Sequence, residues 1–130
     1  MKKNTISVAT LAIASMIASG ARAAPVTRED FQVETAANLI SLCSAAETDP
    51  LYTAARNFCH GFAVGTFRVL ATEEAAMKTK RKMFCMPATQ PTRDQAIAGF
   101  VQWASDRPKP LAGSPTDAIA AYLAAAYPCK

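Results

Sequence analysis

Four cysteines that follow an N-terminal export signal limit most strongly what this chain can fold into. They are Cys43, Cys59, Cys85 and Cys129, in a chain of 130 residues. Because the signal directs the chain to an oxidising compartment, we expect all four to be joined in two disulfide bonds. Paired cysteines lose their thiolate chemistry, so they stabilise the fold and supply no nucleophile.

The first 23 residues are typical of a cleavable signal peptide. Lys2 and Lys3 form a positive start, an apolar run follows over 6–17, and Ala21-Arg22-Ala23 offers small residues at the cleavage site. The apolar run is shorter than the ~20 residues that a membrane-spanning helix needs. We therefore predict a periplasmic protein of residues 24–130 without a stable membrane anchor, the alternative being an uncleaved N-terminal anchor.

Loss of the signal peptide removes most of the positive charge. The full chain has 14 basic and 10 acidic residues, and Lys2, Lys3 and Arg22 are three of the basic ones. The mature chain is therefore nearly neutral and does not carry the basic surface that a nucleic-acid partner requires. Its length fits a single domain with one small core.

Helical periodicity runs through the mature chain, and no alternating strand pattern interrupts it. The sequence predicts an all-α fold, a small disulfide-stapled bundle of four helices with room for one short additional helix. The first helix is expected over about 28–43, opened by Thr27 with Asp30 as a capping box. The second is expected from Asp49 and Pro50 to about Met77.

The second half of the chain has the clearest helix boundaries. Thr92 with Gln95 forms another capping box, and the third helix is expected to end near Asp106, before a pair of prolines. A capping serine, a first-position proline and an acid in the first turn open the fourth helix at Ser114, Pro115 and Asp117.

Apolar spacing predicts which side of each helix faces the core. On the second helix, Gly61 and Gly65 are expected to let a neighbouring helix approach. The residues expected to face inward are Phe58, Phe62, Thr66 and Val69 on the second helix, Ile97, Phe100, Val101 and Ala104 on the third, and Ile119, Tyr122, Leu123 and Ala126 on the fourth.

The order of the helices favours the pairing of Cys43 with Cys59 and of Cys85 with Cys129. A short turn joins the first two helices, which should pack antiparallel and bring Cys43 and Cys59 to one end. Cys85 precedes the third helix and Cys129 ends the fourth, which places them together in the same way. Four cysteines allow three connectivities, and the sequence by itself does not select one.

The chain offers little of the chemistry that an enzyme needs. His60 is the single histidine, and it stands beside Cys59 with no triad pattern around it. The cysteine spacings contain no close pair for a zinc, haem or redox motif. Glu73 and Glu74 are helix neighbours that point apart and suit a solvated face. We predict no catalytic residue, no metal ion, no cofactor and a non-enzymatic role.

Basic residues and the single tryptophan are the candidates for contacting a protein partner. The run from Lys78 to Lys82 could meet an acidic partner, although positive charge also suits a helix end. It lacks the interleaved aromatics of a nucleic-acid surface. Trp103 is either a binding anchor or a cover for the core edge. The predicted contact residues are Arg68, Lys78, Lys80, Arg81, Lys82 and Trp103.

Five short motifs follow one another along the mature chain. They are NLISLC at 38–43, FCHGFAVG at 58–65, CMP at 85–87, FVQW at 100–103 followed by Pro108 and Leu111, and AYPC at 126–129. In joint order and spacing they resemble the Rap/Tai family of periplasmic immunity proteins associated with type VI secretion. Two places depart from the family pattern: the stretch 72–84 is longer and more basic, and the loop 88–91 lacks a glycine.

The resemblance implies a disulfide-bonded helical bundle without enzymatic activity. Family members with an assigned role bind a peptidoglycan-cleaving amidase toxin in the periplasm and block its active site, often as homodimers. By this resemblance we expect the chain to inhibit a type VI amidase effector by filling its cleft with a rigid loop, since rigidity lowers the ordering cost of binding.

Two other roles fit the residues. A small periplasmic stress holdase would expose apolar surface when its carboxylates are protonated, and ten carboxylates are spread over the mature chain. An envelope protein with a structural role and no toxin partner is the second alternative. Suppression of aggregation at about pH 2–3, where carboxylates lose their charge, would distinguish a holdase from an immunity protein.

Overall fold

The computed structural model describes residues 24–77 and 81–130, and within these ranges all regular secondary structure is helical. A short 3-10 helix, Glu29–Gln32, precedes five α-helices. They are α1 (Ala36–Cys43), α2 (Tyr52–Ala76), α3 (Arg93–Ser105), α4 (Pro108–Leu111) and α5 (Pro115–Ala126). The all-α prediction is confirmed, with α4 as the short additional helix. The predicted signal peptide, 1–23, lies outside the described residues.

The first predicted helix is in fact two separate pieces. The 3-10 helix Glu29–Gln32 ends at Val33, whose φ of 53° is a left-handed conformation that β-branched residues rarely adopt. The helix α1 then starts after Thr35, whose backbone amide donates to Asn38 Oδ1 at 3.0 Å and whose hydroxyl accepts from the Asn38 amide at 3.4 Å. The prediction of a continuous helix over 28–43 was wrong because this capping box starts a new helix.

The short helix α1 is the centre of the core. Ala36, Leu39 and Leu42 have no exposed surface, and the helix contacts α2, α3, α4 and α5. Its first amide, of Ala36, donates to the carbonyl of Gly113 at 2.8 Å, so the turn before α5 satisfies a helix end that would otherwise be buried without a partner. Full burial of each leucine contributes about 1.5–3 kcal/mol.

The turn between α1 and α2 is organised by Asp49. Its carboxylate accepts from the amide of Leu51 and from the amide of Val26, both at 2.8 Å. The predicted helix start at Asp49 and Pro50 is therefore two residues early, since α2 begins at Tyr52. The second hydrogen bond also ties the N-terminal segment of the described chain to this turn.

The long helix α2 follows the predicted inward face in its first half, where Phe58 and Phe62 pack against the core, but departs from it at Val69. Its buried residues are Ala55 and Cys59, and Phe67 packs against Phe84 with the ring centres 5.9 Å apart. Val69, expected to face inward, is 57% exposed. The prediction was wrong at Val69 because the second half of α2 packs through Phe67 against Phe84, and Val69, two residues further on, stands on the other side of the helix.

Close helix approach occurs at a glycine other than the predicted pair. Gly61 and Gly65 have nothing within 4 Å of the position where a Cβ would stand, so they face open space and admit no neighbouring helix. Gly99 on α3 is the close contact, because a Cβ there would overlap the hydroxyl of Tyr122 on α5. Gly99 is thus the glycine that brings α3 and α5 together.

The predicted boundaries of α3 and α5 are confirmed. The Thr92 amide donates to Gln95 Oε1 at 2.8 Å, and the Gln95 amide donates to Thr92 Oγ1 at 3.2 Å. Ser114 caps α5 by accepting from the Asp117 amide at 3.4 Å. The inward faces hold except at Ala126, which is exposed because α5 ends there.

Both predicted disulfide bonds are present. Cys43 and Cys59 join α1 to α2, with an S–S distance of 2.06 Å. Cys85 and Cys129 join the segment before α3 to the end of α5, with an S–S distance of 2.07 Å. Beside the second bond, the Cys85 amide donates to the Tyr127 carbonyl at 2.8 Å. All four cysteines are therefore consumed in two bridges between consecutive pairs.

Candidate binding cleft

An apolar cleft of about 340 Å³ opens between α2, α3 and α5. Its walls come from three helices and from the loop that leads into α3. The apolar residues that line it are Ala63, Val64, Phe67, Met86, Pro91, Ala96, Ile97, Phe100, Ile119 and Leu123, with Tyr122 and Tyr127 beside them. An apolar concavity of this size with few polar groups is the usual form of a binding pocket.

Two exposed arginines border the cleft. Arg68 comes from α2 and Arg93 from the first position of α3, so they approach it from different walls. None of the cleft-lining residues is acidic. Asp94, which follows Arg93, is engaged elsewhere: its carboxylate accepts from Arg56 at 3.1 Å and lies 3.2 Å from His60 Nε2. The cleft therefore combines an apolar interior with a positive rim.

Tyr122 is the central polar group of the cleft wall. Burial, together with the neighbouring side chain of Tyr127, raises the pKa of its hydroxyl above its ordinary value. The phenol is therefore neutral at physiological pH and cannot act there as a base. Its hydroxyl rests against Gly99, which fixes the ring in the wall.

The segment after α2 is held in place by Glu74. The Glu74 carboxylate accepts hydrogen bonds from the backbone amides of Met83 and Phe84, and Phe84 is 4% exposed. Arg81 and Lys82 are exposed just before this anchor and line a second cavity with Glu74. The buried Phe84 and the anchoring carboxylate thus set where these two cations stand.

Trp103 packs at the edge of the core and stays partly exposed, and its role as a partner contact remains a prediction. Its ring stacks on Phe100 and tilts against Tyr122, with centres 6.4 and 6.0 Å apart. The Arg107 guanidinium lies 5.2 Å from the ring centre and donates to the Trp103 carbonyl at 2.9 Å. Trp103 therefore covers the core edge, in contact with two residues of the cleft wall.

The single histidine has a structural partner. His60 on α2 and Arg56, one helical turn before it, both contact the Asp94 carboxylate at the start of α3. The contact with Asp94 also raises the pKa of the Arg56 guanidinium above its ordinary value. This cluster lines a third cavity, beside the Cys43–Cys59 bond, and ties α2 to α3.

The predicted contact residues fall in separate places. Arg68 borders the cleft, Arg81 and Lys82 line the cavity beside Glu74, and Trp103 belongs to the aromatic cluster of the core edge. Lys78 and Lys80 lie outside the described residues. Sequence reasoning did not find the cleft and did not select Arg93. The signal available for Arg93 was its position in the first turn of α3, where acidic residues are favoured over basic ones.

Two further properties concern only the described part of the chain. Within 24–77 and 81–130, no helix is both long enough and apolar enough to cross a bilayer. In the same ranges, no three His, Cys, Asp or Glu side chains stand close enough to hold a metal ion.

Comparison with known proteins gives one match. A sequence model that describes the Rap1a immunity proteins matches residues 35–129. The matched range starts at the Thr35 cap of α1 and ends at Cys129, so it includes all five α-helices and both disulfide bonds. Neither the curated proteins nor the solved structures contain a match.

Proposed function

The chain belongs to the Rap1a immunity protein family, and from this premise we propose that it binds and inhibits a type VI secretion effector in the periplasm. The family match over 35–129 is the observation that carries the proposal. Two disulfide bonds support the location, because such bonds persist in oxidising compartments. The residues proposed as a signal peptide would deliver the chain there.

The proposed effector is a peptidoglycan amidase, and the proposed mechanism is occlusion of its active site. The segment that carries Arg81 and Lys82 is the candidate for this contact, together with Arg68 on α2. Glu74 and the Cys85–Cys129 bond hold the C-terminal side of the segment. A segment fixed before binding loses less conformational entropy on binding, which favours affinity.

The chemistry of the chain suits an inhibitor better than an enzyme. Every cysteine is in a disulfide bond, so the chain holds no thiolate nucleophile. His60 is the single histidine, and it contacts Asp94. Its neighbour in sequence, Cys59, is bonded to Cys43. Covalent catalysis needs a nucleophile within hydrogen-bond reach of a base, and the bonded cysteines and His60 do not form that arrangement.

The test is inhibition of purified amidase effectors by the mature, oxidised protein. We expect tight binding to one effector of a type VI panel and loss of its amidase activity. Reversing charge at Arg81 and Lys82 should weaken binding at least about tenfold, mainly through a slower association rate at low salt. The matched control reverses two exposed cations elsewhere, Arg28→Glu with Lys109→Glu, and should bind like the wild type.

The outcomes separate the proposed function from its alternative. Light scattering of the complex gives the number of copies of each chain and tests whether the chain forms the homodimer that the family resemblance implies. Failure to inhibit any effector, with suppression of aggregation at about pH 2–3, would replace immunity with a holdase role. Inhibition that survives charge reversal at Arg81 and Lys82 would keep immunity and exclude this segment as the contact.

A further inference from the structure

We propose that the apolar cleft receives an apolar side chain of the effector that has a carboxylate beside it. This inference rests on the proposed function and names a second contact surface, separate from Arg81 and Lys82. The partner chemistry is an acidic-apolar peptide segment, recognised by the cleft interior and by Arg68 and Arg93 together.

The cleft interior selects for an apolar group. Ten of its sixteen lining residues have wholly apolar side chains, and its volume is about 340 Å³. The Tyr122 hydroxyl in the wall lies against Gly99, and its ring packs on Phe100 and Tyr127. Anchors that contribute most to protein binding are large apolar side chains seated in such pockets.

The rim selects for a negative charge. All ten acidic residues of the chain lie in the described ranges, and none of them lines the cleft. The nearest in sequence, Asp94, is engaged by Arg56 and His60. No ion pair of Arg68 or Arg93 is present among residues 24–77 and 81–130. These two guanidinium groups are therefore available to a partner's carboxylate, which arginine suits through paired hydrogen bonds.

The position of Trp103 provides a readout. Its ring contacts Phe100 and Tyr122, which both line the cleft, and it is the only tryptophan of the chain. A group entering the cleft changes the surroundings of this aromatic cluster. Tryptophan emission and the amide resonances of Ala63 and Ala96 therefore report occupancy without an effector assay.

The first experiment needs no effector. The mature, oxidised protein is titrated with a short blocked peptide that has leucine and phenylalanine flanked by aspartate and glutamate. We expect shifted Ala63 and Ala96 resonances and changed tryptophan emission on addition of the peptide. The double variant Arg68→Glu with Arg93→Glu should lower the apparent affinity for the peptide about tenfold. A peptide with lysines in place of the acids should bind at least about tenfold more weakly. Equal binding of both peptides, or no binding, would overturn the inference.

The second experiment uses the effector that the wild type inhibits. Ala96→Phe places a large side chain in the cleft and should weaken effector binding at least about tenfold. Ala121→Phe, on the exposed side of α5, is the matched control and should bind like the wild type. Equal melting temperatures of the two variants show that both are folded. Unchanged affinity of Ala96→Phe would overturn the inference and leave the immunity function standing, whereas absence of any inhibited effector would overturn the function.

Discussion

The hydroxyl of Tyr122 on α5 occupies the space that a Cβ atom of Gly99 on α3 would fill. This contact brings two helices together at the wall of the apolar cleft. The same ring packs on Phe100, with centres 5.6 Å apart, so its position is fixed from two directions. The width of the cleft between α3 and α5 thus depends on the absence of one methyl group.

Gly99→Ala should destabilise the protein by about 1–3 kcal/mol, because the new methyl group forces Tyr122 out of its place. The matched control is Gly65→Ala on α2, where a Cβ meets nothing within 4 Å. That control should stabilise the protein by about 0.5–1 kcal/mol, since alanine favours a helix interior over glycine. Urea denaturation of both variants measures the two effects, and equal stability of Gly99→Ala and wild type would contradict the close contact.

The two disulfide bonds should differ in their resistance to reduction. Cys85 and Cys129 are both exposed, whereas Cys59 is 1% exposed. A mild reductant at neutral pH should therefore cleave Cys85–Cys129 first, because thiolate attack requires access to a sulfur. Timed alkylation followed by peptide mass mapping measures the order. Labelling of Cys43 and Cys59 before Cys85 and Cys129 would show that local opening around α1, and not the exposure of the cysteines in the folded state, controls the order of reduction.

Asp30 should make the stability depend on acidic pH. Partial burial acts to raise its pKa, but hydrogen bonds from Thr27, Asn38 and Ser41 outweigh it and lower the pKa from its ordinary value of 3.8. The folded state then favours the ionised carboxylate, so this stabilisation is complete above about pH 3.8 and is lost as the pH falls through the lower, folded-state pKa.

The test of this dependence is Asp30→Asn. The variant should be less stable than the wild type at pH 7, and the difference should shrink as the pH is lowered through 3.8. Urea denaturation at pH 7, 4 and 2 measures it, with the exposed Glu47→Gln as the control. A difference that stays constant over this range would show that charge at Asp30 does not stabilise the fold.

Glu74→Ala should loosen the segment after α2 without unfolding the protein. The variant leaves the backbone amides of Met83 and Phe84 without their carboxylate acceptor. The rates of amide hydrogen exchange at these two positions should rise at least about tenfold. A tenfold rise corresponds to a decrease of about 1.4 kcal/mol in the free energy of local opening. Glu73→Ala, the exposed neighbour, should leave both rates unchanged, and equal rates in the two variants would remove Glu74 as the anchor.

Trp103→Ala should lower stability by about 2–4 kcal/mol, because the ring packs on Phe100 and Tyr122 while part of it stays exposed. Arg107→Ala removes only the cation above the ring and should cost less than about 1 kcal/mol. Thermal denaturation compares the two variants. A stable Trp103→Ala variant that no longer binds its effector would instead make Trp103 a binding anchor.

Local signals in the sequence predicted most of the fold. Thr92 with Gln95, and Ser114 with Pro115, located α3 and α5, because a capping pattern is contained within a few neighbouring residues. Helix order also predicted both disulfide pairs. The capping patterns depend on short-range rules, and the disulfide pairs depend only on helix order, so both can be found without knowledge of the detailed side-chain packing.

Tertiary contacts decided the features that sequence reasoning missed. Val33 adopts a left-handed φ of 53° where the chain turns from the 3-10 helix to the capped start of α1, and no local preference of valine predicts that. Val69 is exposed because Phe84 covers the opposite side of α2. The cleft could not be predicted either, since Arg68 and Arg93 line one cavity only once α2 and α3 are packed.

The connectivity of the two bridges has a consequence for oxidative folding. Cys43 pairs with Cys59 and Cys85 pairs with Cys129, at sequence separations of 16 and 44, so the two closed loops do not overlap. If the cysteines meet an oxidant in their order along the chain, Cys43 and Cys59 are available before Cys85 and Cys129. Pairing in that order gives the native bonds without any rearrangement.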